Sequence, residues 1–561
     1  MNKLLTSLLL LLFSFNAIAQ QPQRDTIAKK LDKYFLPERE NIHVQLNKSV
    51  YTTNEKIWYK GYVYHRKKNL PFFASTNIQV SLIDAAGKVI DSQLLYGNVG
   101  TFSGNFNLGE NFTSGKYYLQ FYTNWMNNFT EDESSVYEVT VINIEKGAGN
   151  ALAGPDLSKI NIDLYPEGGT FVNGVQNVFG IQVSDCNHEP LAVTAAEILD
   201  ASGNLVQKVQ INKFGYGKVS LPPNTGTGYK AIVRLDDKTY NQALPAPQAT
   251  GITIEASTML AGKTVIILRT NKATLDALGN KPLLLLVHND EQASMFDIDF
   301  KGQTEIKMPI SNESIFEGMN TIRIIDAGLN QLAERMLFRY PDTALRADIS
   351  TKQAADTITF SGKINQPNMS LSISVLPQGS RSIDEANDIY GSLRILPYIK
   401  NQQKANGRYY LSTPSKGKNY ELDLFLACQK SKYNWADIVN GLPKTTYPFD
   451  LGITLKGTVP KSVGSTTNGK VRLYSLMSAI DESTDVDKDG NFVFSNLFIA
   501  DSAYVNFTLL RKGQKPKELT LAPQILNGKK PYNKAFTPQP RCYAPTEAAD
   551  NGLPNYYRES T

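Results

Sequence analysis

Tandem antiparallel β-sandwiches, mainly β, with a short N-terminal helix and a helical insert near residues 383–440, are the fold class this 561-residue chain predicts. Three observations carry that expectation. The chain is too long for one hydrophobic core, at roughly 100–150 residues per domain. Apolar residues alternate with period two over short runs, and the pattern restarts several times. Glycine, tyrosine and phenylalanine are abundant, at 39, 28 and 25 residues, a mixture that suits short strands joined by turns.

The N-terminus reads as an export signal. Met1-Asn2-Lys3 supplies a positive start, Leu4 to Phe15 an apolar run, and Ala17-Ile18-Ala19 the small residues a signal peptidase reads, so residues 1–19 form the signal peptide. The apolar run is shorter than the roughly 20 residues a membrane span needs. Leu283 to Val287 is also apolar but only strand-length, so no transmembrane helix is expected in the mature chain. Residues 20–40 read as helix and linker, with Asp25 as cap and Ile27, Leu31, Tyr34 and Phe35 as the apolar stripe.

From residue 41 the period becomes two. Ile57, Tyr59, Gly61 and Val63 share one strand face, and Trp58, Lys60, Tyr62 and Tyr64 the other. Seven such strands place a sandwich at residues 41–148. The pattern restarts at 155–247 and 248–343, and the turn Asp200-Ala201-Ser202-Gly203 mirrors Asp84-Ala85-Ala86-Gly87. Residues 344–450 begin as a fourth sandwich, with strands at Thr357–Lys363 and Leu371–Leu376, then adopt helical spacing at Ile389, Leu393 and Leu396 and at Leu422, Phe425 and Leu426. A last β domain spans 451–524, and residues 525–561, rich in proline, asparagine and lysine, read as a poorly ordered tail. The expected arrangement is a string of modules with modest contacts and hinge motion between them.

The net charge of +5 is small for this length, and without a long Lys/Arg block it implies no nucleic-acid partner. Cys186, Cys428 and Cys542 are far apart and odd in number, so no disulfide framework is expected.

Chemistry-bearing motifs are sparse. Asp485, Asp487 and Asp489, before Gly490, space oxygen donors like the start of an EF-hand calcium loop and form the one candidate metal set. Position twelve is Asn496 where a bidentate glutamate is needed, and Asn491-Phe492-Val493-Phe494 is strand-like, so the residues favour an Asp-Gly hairpin turn. Gly262-Lys263-Thr264 evokes a P-loop but leads into a β-branched strand, not a helix N-terminus. His43, His65, His188 and His288 show no zinc spacing. Glu167 reads as a turn residue, and Trp58, Trp125 and Trp435 as core or interface anchors. No catalytic residue and no cofactor is assigned, and the chain is expected not to be an enzyme.

Several segments resemble a known family. Val44-Gln45-Leu46-Asn47-Lys48-Ser49-Val50-Tyr51 with Glu55-Lys56-Ile57-Trp58-Tyr59-Lys60-Gly61-Tyr62-Val63 resembles the second macroglobulin domain (MG2) of alpha-2-macroglobulin-like proteins, with Asn47 and Asn54 standing where the family has Asp and Gly. Gly115 to Met126 looks like that domain's closing strand. Tyr165-Pro166-Glu167-Gly168-Gly169 and Phe214-Gly215-Tyr216-Gly217 are similar to segments of bacterial members. Leu422 to Trp435, Tyr447-Pro448 and Gly452 to Val459 resemble their junction into a carboxypeptidase-regulatory-like domain. The resemblance, over residues 40–525, implies a macroglobulin- or immunoglobulin-like exported protein of Bacteroidetes, in the periplasm or at the outer membrane. It further implies a protein partner in the envelope, such as a TonB-dependent outer-membrane component. No cysteine carries the Cys-Gly-Glu-Gln thioester sequence, and no receptor plug is read before Thr561. The resemblance therefore implies an envelope scaffold or binding protein, either plugless or the front part of a TonB-linked system. A thioester-less protease inhibitor and a carbohydrate-binding or adhesion protein are the alternatives.

Overall fold

The computed structural model describes residues 21–544 apart from 69, 148–152, 192, 224–227, 259, 261, 280, 342–346, 365–368, 378–379, 381, 384–387, 401–404, 465–468 and 500–502. The signal peptide expected at residues 1–19 lies outside the described residues. The chain is mainly β, in tandem antiparallel sandwiches.

One strand plan recurs. The second sandwich pairs Ile160–Pro166, Asn177–Asp185 and Tyr216–Leu221 in one sheet. Leu205–Gln210, Ala195–Leu199, Lys230–Leu235 and Lys238–Ala243 form the other. The third repeats this order, with Ile252–Ser257, Lys263–Thr270 and Glu305–Ser311 facing Ala293–Ile298, Leu283–His288, Gly318–Asp326 and Gln331–Arg339. The first sandwich keeps the plan within residues 40–142 and adds Val50–Thr52, paired parallel to Ser135–Ile142. The last keeps the four-stranded sheet, and Gln524–Ile525 joins the opposite one.

A five-residue loop punctuates this plan six times among the described residues. Its first residue, Asp84, Asp185, Asp200, Asn212, Asp326 or Asp487, accepts through Oδ1 from the backbone N–H groups two and four residues on. The fourth residue is left-handed: Gly87, His188, Gly203, Gly215, Leu329 or Gly490. The Asx side chain supplies the acceptor that a short hairpin otherwise lacks, and glycine occupies the left-handed position at least cost.

Strand Lys56–His65 buries Ile57, Tyr59, Gly61 and Val63 and exposes Trp58, as its alternation predicts. Gly61 has a packing reason: a Cβ there would lie 1.9 Å from the ring of its cross-strand partner Phe102. Gly457 repeats the device under Phe492.

The string-like arrangement is not what the chain adopts. Six helices, α1 (residues 21–35), α2 (Lys272–Leu278), α3 (Ile389–Arg394), α4 (Gly407–Leu411), α5 (Lys416–Ala427) and α6 (Trp435–Asn440), complete the described fold, and most of them fasten domains together. Helix α1 begins before Asp25, so that residue lies within the helix and does not cap it. Its Ile27, Leu31, Tyr34 and Phe35 pack with Trp435 and Ile438 of α6 on Leu284, Leu286 and Ile325 of the third sandwich. Leu283, Leu285 and Val287 point into the sandwich core, so this strand is buried on both faces. That explains its unbroken apolar run. Helix α5 wedges between the second and third sandwiches, where Phe425 meets Tyr216 and a Cβ on Gly180 would lie 2.8 Å from Cys428 Sγ.

Three further expectations are corrected. Residues 344–450 contain no sandwich among the described residues: Ala347–Ala354 pairs only with Thr357–Ile364, and Leu371–Leu376 is extended but unpaired, its serines laid on the first sandwich. The segment from 525 to 544 is docked, not disordered. Tyr532 stacks on Tyr122 at 4.9 Å and enters the first sandwich's core. Cys542 forms a disulfide with Cys186, 356 residues away, with Asn187 hydrogen-bonded to the Cys542 backbone at 2.8 and 3.0 Å. Parity said nothing about pairing, because Cys428 is the odd one, buried and free.

Two outcomes are expected. Gly61→Ala lowers stability in urea by about 1–3 kcal/mol by overpacking Phe102, and Gly61→Ala/Phe102→Leu recovers part of it; an unchanged midpoint refutes the packing. In denaturant, a thiol reagent labels Cys428 alone before reduction and all three cysteines afterwards. Labelling of three without reductant rules out the bond.

Candidate functional site

A cleft of about 870 Å³ opens where the modules converge. Its walls come from the first sandwich (residues 130–132), the second (164–169), the third (331–335), the helical segment (400 and 427–437) and Phe536 of the docked tail. Buried ion pairs and charged hydrogen bonds hold the walls, and three joints tie together stretches distant in sequence.

The first joint centres on Glu133, 1 % exposed at its side chain. Arg66 Nη2 donates to it at 2.6 Å, Arg39 Nε at 3.2 Å and Lys432 Nζ at 3.1 Å. Arg66 also donates to Asn41 and to Tyr433 Oη, and Arg39 lies 4.3 Å over Phe129. Burial pushes the Glu133 carboxyl up, but the pull of Arg66, Lys432 and Arg39 is larger in sum and holds it well below the usual carboxylate range. Next to this joint Tyr34 of α1 donates to Glu131.

The second joint centres on Glu167, from the Tyr165-Pro166-Glu167-Gly168-Gly169 segment. Arg335 Nε of the third sandwich donates to it at 2.8 Å, and Lys218 of the second lies 3.0 Å away. Arg335 Nη2 continues to Asp423 of α5 at 2.6 Å. Glu167 stands in a turn, as its sequence reads, and its carboxylate is a buried joint between two sandwiches and a helix. Gly168 and Gly169, both left-handed, bring the chain against the backbone of Ile254, where a Cβ on Gly168 would be 2.8 Å from nitrogen.

The third joint is Arg323, fully buried. Its Nε donates to His288 Nε2 at 3.0 Å and its Nη2 to the Tyr433 carbonyl at 2.6 Å, while Nη1 reaches Glu334 and Gln331. Glu334 in turn accepts from Ser431 N at 2.9 Å. Accepting from arginine fixes His288 as the neutral tautomer protonated on Nδ1, which faces the Asn289 carbonyl at 2.9 Å. Burial and then the Arg323 charge push it down to about 3.

Of the residues singled out from sequence, Glu167 and Trp435 line the cleft, whereas Asp485, Asp487 and Asp489 do not. Asp487 heads a five-residue loop: Oδ1 accepts from Asp489 N and Asn491 N and Oδ2 from Asn491 Nδ2. Asp485 lies 3.5 Å from Lys470. No group of three or more His, Cys, Asp or Glu side chains among the described residues is arranged to hold a metal. Lys263 and Thr264 start a strand. Trp435 is a buried anchor, its Nε1 donating to the Leu329 carbonyl, and Trp125 stacks on Phe449 at 3.9 Å. Trp58, 52 % exposed, is no anchor. The arginines 39, 66, 323 and 335 went unremarked in the sequence. A signal was available for Arg323, which stands between Ile322 and Ile324; Arg335, in a strand that also carries Gln331, Glu334 and Arg339, gave none.

Histidine burial gives stability a pH dependence of definite sign. Unfolded histidine binds its proton near 6.5, whereas His288 and His43 bind theirs only at about 3 and about 4. Between those values the unfolded chain holds more protons, so stability rises with pH and is lost as pH falls below 6.5. Glu40, which burial pushes up to about 7, acts oppositely between about 4.5 and 7. His288→Gln keeps an acceptor toward Arg323 and cannot charge. Its melting temperature is expected to fall less than wild type between pH 6.5 and 4.5, and parallel slopes contradict the assignment.

No family model matches the chain, and no curated protein does. Among solved structures it is similar to Escherichia coli alpha-2-macroglobulin activated by porcine elastase, at 10% identity and TM-score 0.22 over 87% of this chain and 43% of that one. It is similar also to dimeric latent PorU from Porphyromonas gingivalis, at 10% identity and TM-score 0.25 over 53% and 33%. A third is the Escherichia coli adhesin FdeC, at 13% identity and TM-score 0.14 over 53% and 97%. The chain spans less than half the length of the macroglobulin. At such values, what those proteins bind or trap does not pass to this one.

Proposed function

We propose that this chain is an exported, non-enzymatic scaffold or binding protein of the bacterial cell envelope, whose domain-junction cleft receives a protein partner. A TonB-dependent outer-membrane component is the partner class the sequence resemblance favours. The observation carrying this reading is the cleft's construction: six separate stretches of chain form its walls, and the buried Glu167–Arg335 ion pair and the Arg323 hydrogen bond to the Tyr433 carbonyl tie three of them together. Such fixing is preorganisation, which lowers the ordering cost of binding.

The Cys186–Cys542 disulfide supports export, because such bonds persist in oxidising compartments and are rare in reducing ones. No helix among the described residues is long and apolar enough to cross a membrane.

The test is capture from native envelopes of the encoding organism. Immobilised protein is expected to retain an envelope partner, and Arg335→Met, which leaves Lys218 as the one cation shared by Glu167 and Asp423, is expected to retain much less. Identical recovery by both proteins, or none by wild type, sinks the proposal.

A further inference from the structure

One charge feature of the cleft has no answer among the described residues. Residues 398–400 and 430–432 pair as a short antiparallel bridge. Lys400 N donates to the Lys430 carbonyl at 2.9 Å, Lys432 N donates to the Tyr398 carbonyl at 2.8 Å, and Ile399 pairs with Ser431. That register sets Lys400 directly opposite Lys430, and both line the cavity. Directly opposed residues hold their Cβ atoms about 4.5–5.5 Å apart, where like charges are destabilising. Among the described residues neither ammonium has a carboxylate partner, whereas Lys432, on the same bridge, is paired with Glu133 of the first sandwich.

The acids of the cleft do not neutralise this pair. Glu131, Glu167 and Glu334 are engaged by Arg39, Arg335 and Arg323, and Asp132 accepts from Ser134 and Tyr532. Asp437 is the remaining carboxylate of the walls. The fold therefore holds two uncompensated positive charges side by side at a concave surface.

A second, independent observation sits beside them. Gln429, 8 % exposed, also lines the cavity, and neither its Nε2 nor its Oε1 has a hydrogen-bond partner. A buried polar group left unpaired costs about 1–3 kcal/mol. A carboxamide with both donor and acceptor free matches one peptide unit, which offers a C=O and an N–H. The cavity volume falls in the range that takes ligands far larger than a single anion, and Tyr165, Trp435 and Phe536 give its walls apolar surface.

We propose that the cleft binds an acidic peptide segment, with a carboxylate between Lys400 and Lys430 and a main-chain amide on Gln429. This rests on the scaffold reading and names the chemistry of its partner. Lysine serves here as a point charge on a flexible stem, so carboxylate recognition is expected to be salt-sensitive.

Fluorescence anisotropy of the full chain with a labelled hexapeptide alternating alanine and glutamate tests it, beside the matching alanine–glutamine peptide. Saturable binding of the acidic peptide is expected, weakened at least about tenfold (1.4 kcal/mol) by Lys400→Gln/Lys430→Gln and by high salt, with the neutral peptide far weaker. Both lysines are exposed, so the variant is expected to melt like wild type. Equal affinity of variant and wild type, or absent saturation, overturns the site. Displacement by inorganic phosphate at concentrations equal to the peptide's reduces it to a simple anion site and overturns the peptide assignment. If the double variant still captures the envelope partner at wild-type level, the acidic-peptide site falls while the scaffold reading stands. Failure of wild type to capture any partner removes the scaffold reading itself.

Discussion

The ion pairs around Glu133 set the geometry on which the rest of the molecule depends. One carboxylate of the first sandwich meets Arg66 and Arg39 from the same module and Lys432 from the helical segment, all excluded from water. Desolvating such groups costs several kcal/mol per ion, and the gain is repaid only when every partner is in place. The cluster is therefore a poor source of net stability and a strict arbiter of position. A displaced domain would leave a charge buried and alone, at about 3–5 kcal/mol. Glu167 with Arg335 and Asp423 imposes the same condition on the second and third sandwiches, and Arg323 and Glu334, bonded to the Tyr433 carbonyl and Ser431 N, impose it on the third sandwich and the helical segment. All three joints meet the segment between Asp423 and Trp435, which acts as the common key.

This arrangement changes the meaning of the tandem modules. Sandwiches joined end to end by short linkers hinge by default. Here α5 fills the gap between two of them, α1 returns to cover a strand more than two hundred residues away, and the tail crosses the first sandwich to a disulfide on the second. The elements these contacts bring together wall the concave junction. The opposed lysines and the unpaired Gln429 amide then lie where that space is walled.

The repeated hairpin loop shows why the acidic motif of the last domain was ambiguous in one dimension. Asp487 to Asn491 has the oxygen spacing of a calcium loop, yet it superposes in hydrogen bonding on Asp84 to Lys88 and Asp200 to Asn204, which carry no such spacing. Carboxylates at alternate positions serve a cation or cap a turn equally well on paper. What decides is whether the oxygens face outward or accept from their own backbone, and Asp487 accepts from it.

The sequence alone determined what depends on neighbours a few residues apart. Period-two alternation around Ile57 and Ile322, the Asp-to-glycine turns and the helical spacing of Leu422, Phe425 and Leu426 are local, and they yielded the β class and the helical insert. The pairing of Cys186 with Cys542, the docking of Tyr532, the unpaired strand-like segment at 371–376 and the ion joints came only with the tertiary structure. Each depends on groups brought together across tens to hundreds of residues, and a side chain's own neighbours in sequence do not record which distant charge will meet it. Nothing beside Arg323 and Arg335 in the sequence names their partners; only the folded chain brings the Tyr433 carbonyl and the Asp423 carboxylate to them and makes their burial possible.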